Sequence, residues 1–467
     1  MARVSVLRQY MASVLVNLLG VSYGTISGWT SSALPMLQGS TENPLAYGAI
    51  TMHQASWIGG MLCLGGIVGT FVGGAIVERL GRKWTAWIAG WPLVACWGMI
   101  IVANHPGYLM AARFLGGLSG GIDFVVTPLY VAEIASTSHR GALSSILMLS
   151  CCVGVVIAYV AGAFLHYYVI PWVCITVPVF FLITFCFLPE SPSYLAKVHQ
   201  LQAAESSLRY FRGIQSEKDA VTVEEYVREL RHLHQTPTGS TASKESSQLA
   251  WSDFATWHSR RAFVICGALM ALNQFCGNFY LLNYAQSMFD ESGSGLSLPA
   301  SHSVIVVGLI QLAGCYVCTL IVDRAGRKIL LVISSTGMAL GQSVFAVYCY
   351  GKELGHDLSS FGWLPLVCFS VVIFVGTLGV GTLPFVVLAE IMPQKIKGFA
   401  TTSCMAANWA LAFVALKYFS TLGILLGMHG ILMFFALCSL SGALFVMLVM
   451  PETKGKTFQE IQQMMQQ

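Results

Sequence analysis

Apolar runs of about 20 residues recur along this chain, and they limit its fold more than any other feature. Met11–Trp29, Trp84–Val102 and Ile431–Met450 are examples, and further runs are interrupted only by Gly, Ser or Pro. A hydrocarbon layer about 30 Å thick is crossed by a helix of roughly 20 such residues. Within that layer every backbone amide must be paired inside protein, which leaves helical bundles and closed barrels. Barrel strands would be about 10 residues long and would alternate, so these runs are helices. The composition agrees, with 55% of 467 residues hydrophobic, 10% charged and a mean hydropathy of +0.69, against about 25% charged residues in soluble domains.

The pattern predicts an all-α membrane protein with twelve spans at 9–30, 52–77, 84–104, 107–134, 141–165, 168–188, 261–289, 301–322, 328–350, 361–390, 398–422 and 425–450. The first run follows Arg3 and Arg8 but is too long for a secretory signal and has no small-residue cleavage site after it, so it counts as a helix. The 14 cysteines fall almost wholly within apolar spans, which makes them small buried hydrophobes and not a disulfide framework. Cys315 and Cys318 mimic a metal motif, but no second Cys or His pair accompanies them, and neither a metal nor a cofactor is expected.

Basic residues set the expected orientation. Of 25 Lys and Arg, 22 lie in the N-terminus, the even-numbered connections and the C-terminal tail; the others are Arg113, Lys352 and Lys417. The positive-inside rule then places both termini and the 189–260 connection in the cytoplasm of a multi-pass protein of the cell membrane. The net charge of +4 reflects this topology and does not point to nucleic acid.

The chain is also duplicated. Glu78-Arg79-Leu80-Gly81-Arg82-Lys83 follows the second span and Asp323-Arg324-Ala325-Gly326-Arg327-Lys328 the eighth. Ala132-Glu133-Ile134 precedes Arg140-Gly141 at the interval at which Ala389-Glu390-Ile391 precedes Lys397-Gly398. Pro189-Glu190-Ser191 closes one half and Pro451-Glu452-Thr453 the other. The expected units are a six-helix bundle over 1–188, a loop over 189–260, a second bundle over 261–450 and a tail over 451–467. Amphipathic helices are expected near 200–212 and 221–234 within the loop. Such repeats are typical of transporters whose site lies between the halves at mid-membrane.

The doubled turn, Pro189-Glu190-Ser191-Pro192 and Pro451-Glu452-Thr453-Lys454-Gly455 together resemble the sugar porter family of the major facilitator superfamily. Gln274 with Gly277, and Asn408-Trp409, strengthen the likeness. Ser27-Gly28-Trp29-Thr30, Gln54-Ala55-Ser56-Trp57 and Gln274-Phe275-Cys276-Gly277 look most like the insect facilitated trehalose transporter group. The resemblance implies the major facilitator fold, two pseudo-symmetric six-helix bundles in a lipid bilayer, with a hexose or trehalose as the small-molecule partner. A monomer is the default expectation.

A sugar offers paired hydroxyls and apolar ring faces, so its site calls for side-chain amides set among aromatic rings. The seventh span carries Asn273, Gln274 and Asn283. The resemblance maps the first two onto the family's paired sugar-binding glutamines, adds Gln311, Asn408 and Trp409, and sets Phe385 where the tenth span of relatives has Trp. For each amide, a helix-to-helix hydrogen bond without substrate is the alternative. Departures are that the family's fifth-span Gln falls on Met148, its seventh-span Asn on Phe279, a tenth-span acid on Thr377 and an Arg on Ser193. Gly376, Gly379, Gly381 and Pro384 break the tenth span, the expected moving gate. Gly116, Gly117, Gly120 and Gly121 are expected to permit close helix packing. The charged set Arg82, Glu133, Arg140, Glu190, Arg327, Glu390, Lys397 and Glu452 is expected to latch the two bundles at the cytoplasmic face when the inside is shut.

The resemblance places Ser22 where proton-coupled relatives carry an acid able to pair with Arg113, which favours facilitative uniport by alternating access. Asp123, deep in the fourth span, keeps three readings open: a sugar ligand, a structural partner or a proton site for symport. A non-transporting sensor is a further alternative, against which stands the short tail after Glu452. No nucleophile–base pair or metal cluster can be assembled for an enzyme.

Overall fold

The computed structural model describes residues 2–39, 43–136, 139–213, 254, 256–292, 299–393, 396–454, 456, 460, 461 and 464, and among them all regular structure is helical. In the first half α1 (Ala2–Val16) and α2 (Leu18–Gln38) form one span. There follow α3 (Met52–Leu80), α4 (Arg82–Ile101), α5 (Pro106–Ile134), the short α6 (Arg140–Ser144), α7 (Ile146–Phe164) and α8 (Ile170–Phe185). Helices α9 (Pro192–Lys197) and α10 (Leu201–Arg212) lead out of it. The second half holds α11 (Trp257–Phe275), α12 (Asn278–Asn283), α13 (Ala285–Ser292), α14 (Ala300–Ala325), α15 (Arg327–Glu353), α16 (Leu364–Leu378), α17 (Leu383–Ile391) and α18 (Lys397–Val449). Among the described residues eleven helical stretches are long and apolar enough to cross a membrane, and Ile170–Phe185 is a shorter apolar helix that makes up the expected twelve.

Several expected boundaries move. The first span starts before residue 9 and runs past residue 30 to Gln38, because the small polar Ser31 and Ser32 are buried against neighbouring helices and do not open a loop. The seventh span is broken, with Gly277 at φ +82 between α11 and α12. The eleventh and twelfth spans part at Gly427 (φ +69, ψ +172), beyond the expected boundary. The helix expected near 200–212 is present as α10, while that near 221–234 lies outside the described residues.

The doubled turn has a backbone cause. Gly81 and Gly326 sit at φ +89 and +95, a region costly to residues with a Cβ. Each also lies under a carboxylate: a Cβ would stand 2.4 Å from Glu190 Oε2 at Gly81 and 2.7 Å from Glu452 Oε2 at Gly326. At the opposite face Thr51 and Gln54 form a capping box that starts α3.

Glycine sets the helix spacing. A Cβ on Gly117 would fall 1.8 Å from Leu62 O, and one on Gly121 2.3 Å from Gly66 O, so α3 and α5 meet backbone to backbone. Gly24 and Gly154 do the same for α2 and α7, each 2.1 Å from a carbonyl of the other helix. Large side chains such as Phe71, Trp91, Phe180, Leu340 and Leu448 are exposed on the periphery, where a bilayer would cover them. Gly117→Val is expected to destabilise the detergent-solubilised protein by about 1–3 kcal/mol through overpacking. Gly98→Ala, whose Cβ meets nothing within 4 Å, should be neutral or slightly stabilising in the same thermal unfolding measurement.

Candidate substrate-binding site

A cavity of about 160 Å³ lies between the halves, lined by α2, α5 and α7 from one and α11, α12, α14, α16, α17 and α18 from the other. A single water needs about 10–15 Å³ by the same measure, so the cavity has room for a molecule of many atoms.

Its second-half wall is a chain of amides. Gln274 Nε2 donates to Asn273 Oδ1 at 2.8 Å and to Asn408 Oδ1 at 3.0 Å, and Asn273 Nδ2 donates to Val380 O at 2.7 Å. Val380 lies in the break between α16 and α17, so the amide chain satisfies a carbonyl that the helix has released. On the other side of the break Ser334 Oγ donates to Val375 O (2.7 Å) and accepts from Val380 N (3.1 Å). What remains faces the cavity. Gln274 Oε1, Asn278 Oδ1, Gln311 Oε1 and Trp409 Nε1 are buried without a hydrogen-bond partner among the described residues. Three acceptors and one donor left unpaired carry a desolvation cost of about 1–3 kcal/mol each, which a bound polar ligand would offset.

Aromatic rings close the opposite wall. Tyr23 meets Phe124 edge-on at 5.5 Å and Trp409 at 6.0 Å, so the three rings span both halves. Glycines make room for them: a Cβ on Gly66 would lie 2.5 Å from the Trp409 ring, and one on Gly120 2.5 Å from that of Tyr23.

Asn273, Gln274, Gln311, Phe385, Asn408 and Trp409 therefore meet in one cavity, as expected. Asn283 does not line it. It accepts from Arg113 Nη2 at 3.4 Å and donates to Phe279 O at 2.9 Å. Asn278 and Tyr23 line the cavity without having been singled out; an amide directly after a glycine break was the available signal for Asn278, and Tyr23 had none. Asp123 is fully buried beside the cavity-lining Phe124, with Oδ1 accepting from Thr127 and Oδ2 unpartnered.

The halves are joined on the face opposite the doubled turns. Ser31 Oγ accepts from Gln286 N (3.1 Å), Lys417 Nζ donates to Ser56 Oγ (2.9 Å) and lies over Trp57, and Tyr159 donates to Leu282 O (2.8 Å). Arg113 adds its bond to Asn283 and is otherwise held by the carbonyls of Ile58 and Ile26.

In this arrangement the described pairs of the charged set at the turns lie within each half. Arg82 pairs with Glu133 at 2.8 Å and Arg327 with Glu390 at 3.0 Å, each inside its own half. Glu190 accepts from the backbone N–H of Arg82 (3.1 Å) and Lys83 (3.0 Å), and Glu452 from those of Arg327 (3.0 Å) and Lys328 (3.1 Å). Each Pro-Glu carboxylate thus caps the N-terminus of α4 or α15, where free amides and the helix dipole favour an anion. That local demand explains why the pairs stay within each half. Burial outweighs those bonds at Glu190 and raises its carboxyl. Burial also opposes ionisation of Glu452, but the N–H groups of Lys454, Arg327, Lys328 and Thr453 outweigh it and hold the group below its ordinary value. Lys397 opens α18, and the side chain of Arg140 lies outside the described residues.

Stability should separate structural amides from ligand-facing ones. Asn273→Leu leaves Val380 O unpaired and is expected to cost about 1–3 kcal/mol. Gln311→Met removes an acceptor that has no partner among the described residues, and should leave the melting temperature in detergent unchanged or raise it.

Comparison with known proteins places nearly the whole chain in a family. The family model described as "Sugar (and other) transporter" matches residues 11–465. The facilitated trehalose transporter Tret1 of Polypedilum vanderplanki is 30% identical over 457 residues, 98% of this chain and 88% of its own. That of Bombyx mori is 31% identical over 454 residues, 97% and 86% of the two chains. Against longer relatives such as Tret1 of Drosophila pseudoobscura pseudoobscura the chain spans about half the length, 51%. Among solved structures, the inward open xylose transporter XylE from E. coli aligns with a TM-score of 0.77 at 21% identity, covering 98% of this chain and 99% of that one. The proton:xylose symporter XylE bound to 6-bromo-6-deoxy-D-glucose gives a TM-score of 0.72 at 21% identity, covering 98% of each chain. These likenesses show the major facilitator fold, and with the family match over nearly the whole length they establish that the chain belongs to the sugar transporter family of that superfamily.

Proposed function

We propose that this protein carries a hexose or trehalose across the cell membrane by facilitative uniport, with its doubled turns and both termini on the cytoplasmic side. The observation that carries the reading is the cavity between the halves, where Gln274 Oε1, Asn278 Oδ1, Gln311 Oε1 and Trp409 Nε1 lie unpaired beside aromatic rings. Acceptors suit sugar hydroxyls, the indole N–H suits a hydroxyl or ring oxygen, and the Tyr23, Phe124 and Trp409 surfaces suit the apolar faces of a pyranose. The relatives named for facilitated trehalose transport support the substrate class. The lining needs no covalent step: the sugar binds, the halves rock about it, and net flux follows its gradient.

The bonds between halves on the face of Ser31, Ser56 and Asn283 support an arrangement shut to the outside. In the opposite arrangement these bonds would break. Asn283 is then a closing residue of the outer face and not a sugar ligand.

Uptake of labelled trehalose, glucose and fructose into liposomes containing the purified protein tests the reading. Saturable uptake that equilibrates without a proton gradient is expected, and binding without flux of any sugar would argue for a sensor. Gln311→Ala should raise the half-saturation concentration by about fivefold to 150-fold, the equivalent of about 1–3 kcal/mol.

A proton-coupled reading has one observation in its favour, the buried Asp123 with Oδ2 unpartnered next to the cavity wall. Asp123→Asn decides it. Uptake that survives and loses only its pH dependence would establish coupling, whereas unchanged uptake and pH profile would leave Asp123 as a structural partner of Thr127.

A further inference from the structure

The cavity wall also carries thiols that sugar recognition does not use. Cys152 comes from α7 in the first half and Cys315 from α14 in the second, and both line the cavity although only 6% and 2% exposed. The two helices are antiparallel and closely apposed. A Cβ on Gly308 of α14 would stand 2.9 Å from the Tyr159 ring and 3.2 Å from Val156 of α7, so glycine lets the helices approach there. Two helical turns onward on α14, and two turns back on α7, lie Cys315 and Cys152. Equal steps from that contact set the two residues at matching depth on facing helices, and both line the cavity. A thiol is a weak hydrogen-bonding group, so the pair adds little to sugar binding, but it bridges the surfaces that must move.

We propose that Cys152 and Cys315 form a redox modification site, at which a two-electron oxidant joins the halves through one disulfide and arrests transport. With hydrogen peroxide as oxidant, one thiol loses its proton and attacks the peroxide, breaking the O–O bond and giving a sulfenic acid and one water. The second thiol displaces hydroxide from that sulfur, which leaves as a second water once protonated, and the S–S bond forms. Two thiols are oxidised by two electrons and one peroxide is reduced to two waters. A disulfide holds its Cβ atoms about 3.8 Å apart, so α7 and α14 can no longer slide or tilt against each other at cavity depth. Cys151 lines the same wall one residue away, where the helix turns its side chain by about 100° from that of Cys152, and it serves as the control. The arrest rests on the transport reading; the cross-link does not.

The test uses the full chain in liposomes with a protease site inserted within residues 214–253, the stretch between the halves. After peroxide treatment and cleavage, the two fragments should stay joined on a non-reducing gel and separate with dithiothreitol. Cys152→Ser and Cys315→Ser should each abolish the joining, and Cys151→Ser should retain it. Sugar uptake after oxidation, divided by each protein's own reduced uptake, should collapse for the wild type and Cys151→Ser and stay near unity for the other two. Fragments that separate after peroxide overturn the site. Joined fragments with undiminished uptake overturn the arrest. Absence of uptake by the reduced wild type would refute the transport reading and the arrest with it, while the gel still decides the cross-link.

Discussion

Backbone hydrogen bonding inside a hydrocarbon layer governs this molecule. A span that stays helical satisfies its own amides, and a span that breaks must find partners elsewhere in the protein. The chain breaks two spans, at Gly277 and between Leu378 and Leu383, and the cavity forms where the breaks face each other. The released carbonyl of Val380 is taken by Asn273, whose own oxygen accepts from Gln274, whose second donor hydrogen reaches Asn408. The donors thus repair the broken helix, and the acceptors left over face the cavity.

Close approach of helices is the second constraint, and it works by removing side chains. Gly65, Gly69, Gly117 and Gly121 bring α3 and α5 into backbone contact, while Gly66 and Gly120 on the same helices give space to Trp409 and Tyr23. A run of glycines therefore does two jobs on two faces, helix packing on one and accommodation of cavity aromatics on the other. At the doubled turns, glycine meets a third demand, since only a residue without Cβ fits the positive φ beneath the capping carboxylate of Glu190 or Glu452.

Much of this was legible in the sequence because it depends on local chemistry. Long apolar runs imply spans whatever their neighbours. The repeated acidic-Arg-x-Gly-Arg-Lys turn and Pro-Glu endings identify equivalent positions in two halves, and the amides of the seventh, eighth and eleventh spans announce a polar site because polar groups at membrane depth need a reason. Less was legible where partners come from afar. The charges at the turns read as a latch for a shut inner face, and only the structure shows that in the present arrangement Glu190 and Glu452 cap the free amides of α4 and α15 in their own halves. Asn283 read as a ligand because amides at membrane depth face the bundle interior, but it is engaged by Arg113 and the carbonyl of Phe279.

Sequence alone determined that the chain is helical, spans a bilayer, repeats itself and belongs with sugar porters, since hydrophobic run length, charge bias and motif spacing are properties of the chain itself. Tertiary structure alone decided which amide atoms stay unpaired, that Tyr23 and Asn278 join the cavity, that Asn283 leaves it, and that Cys152 and Cys315 line one cavity from opposite halves. The physical reason is that a hydrogen bond or a thiol contact between helices depends on rotation and register, to within a fraction of a turn, and no spacing within one helix encodes the phase of its neighbour.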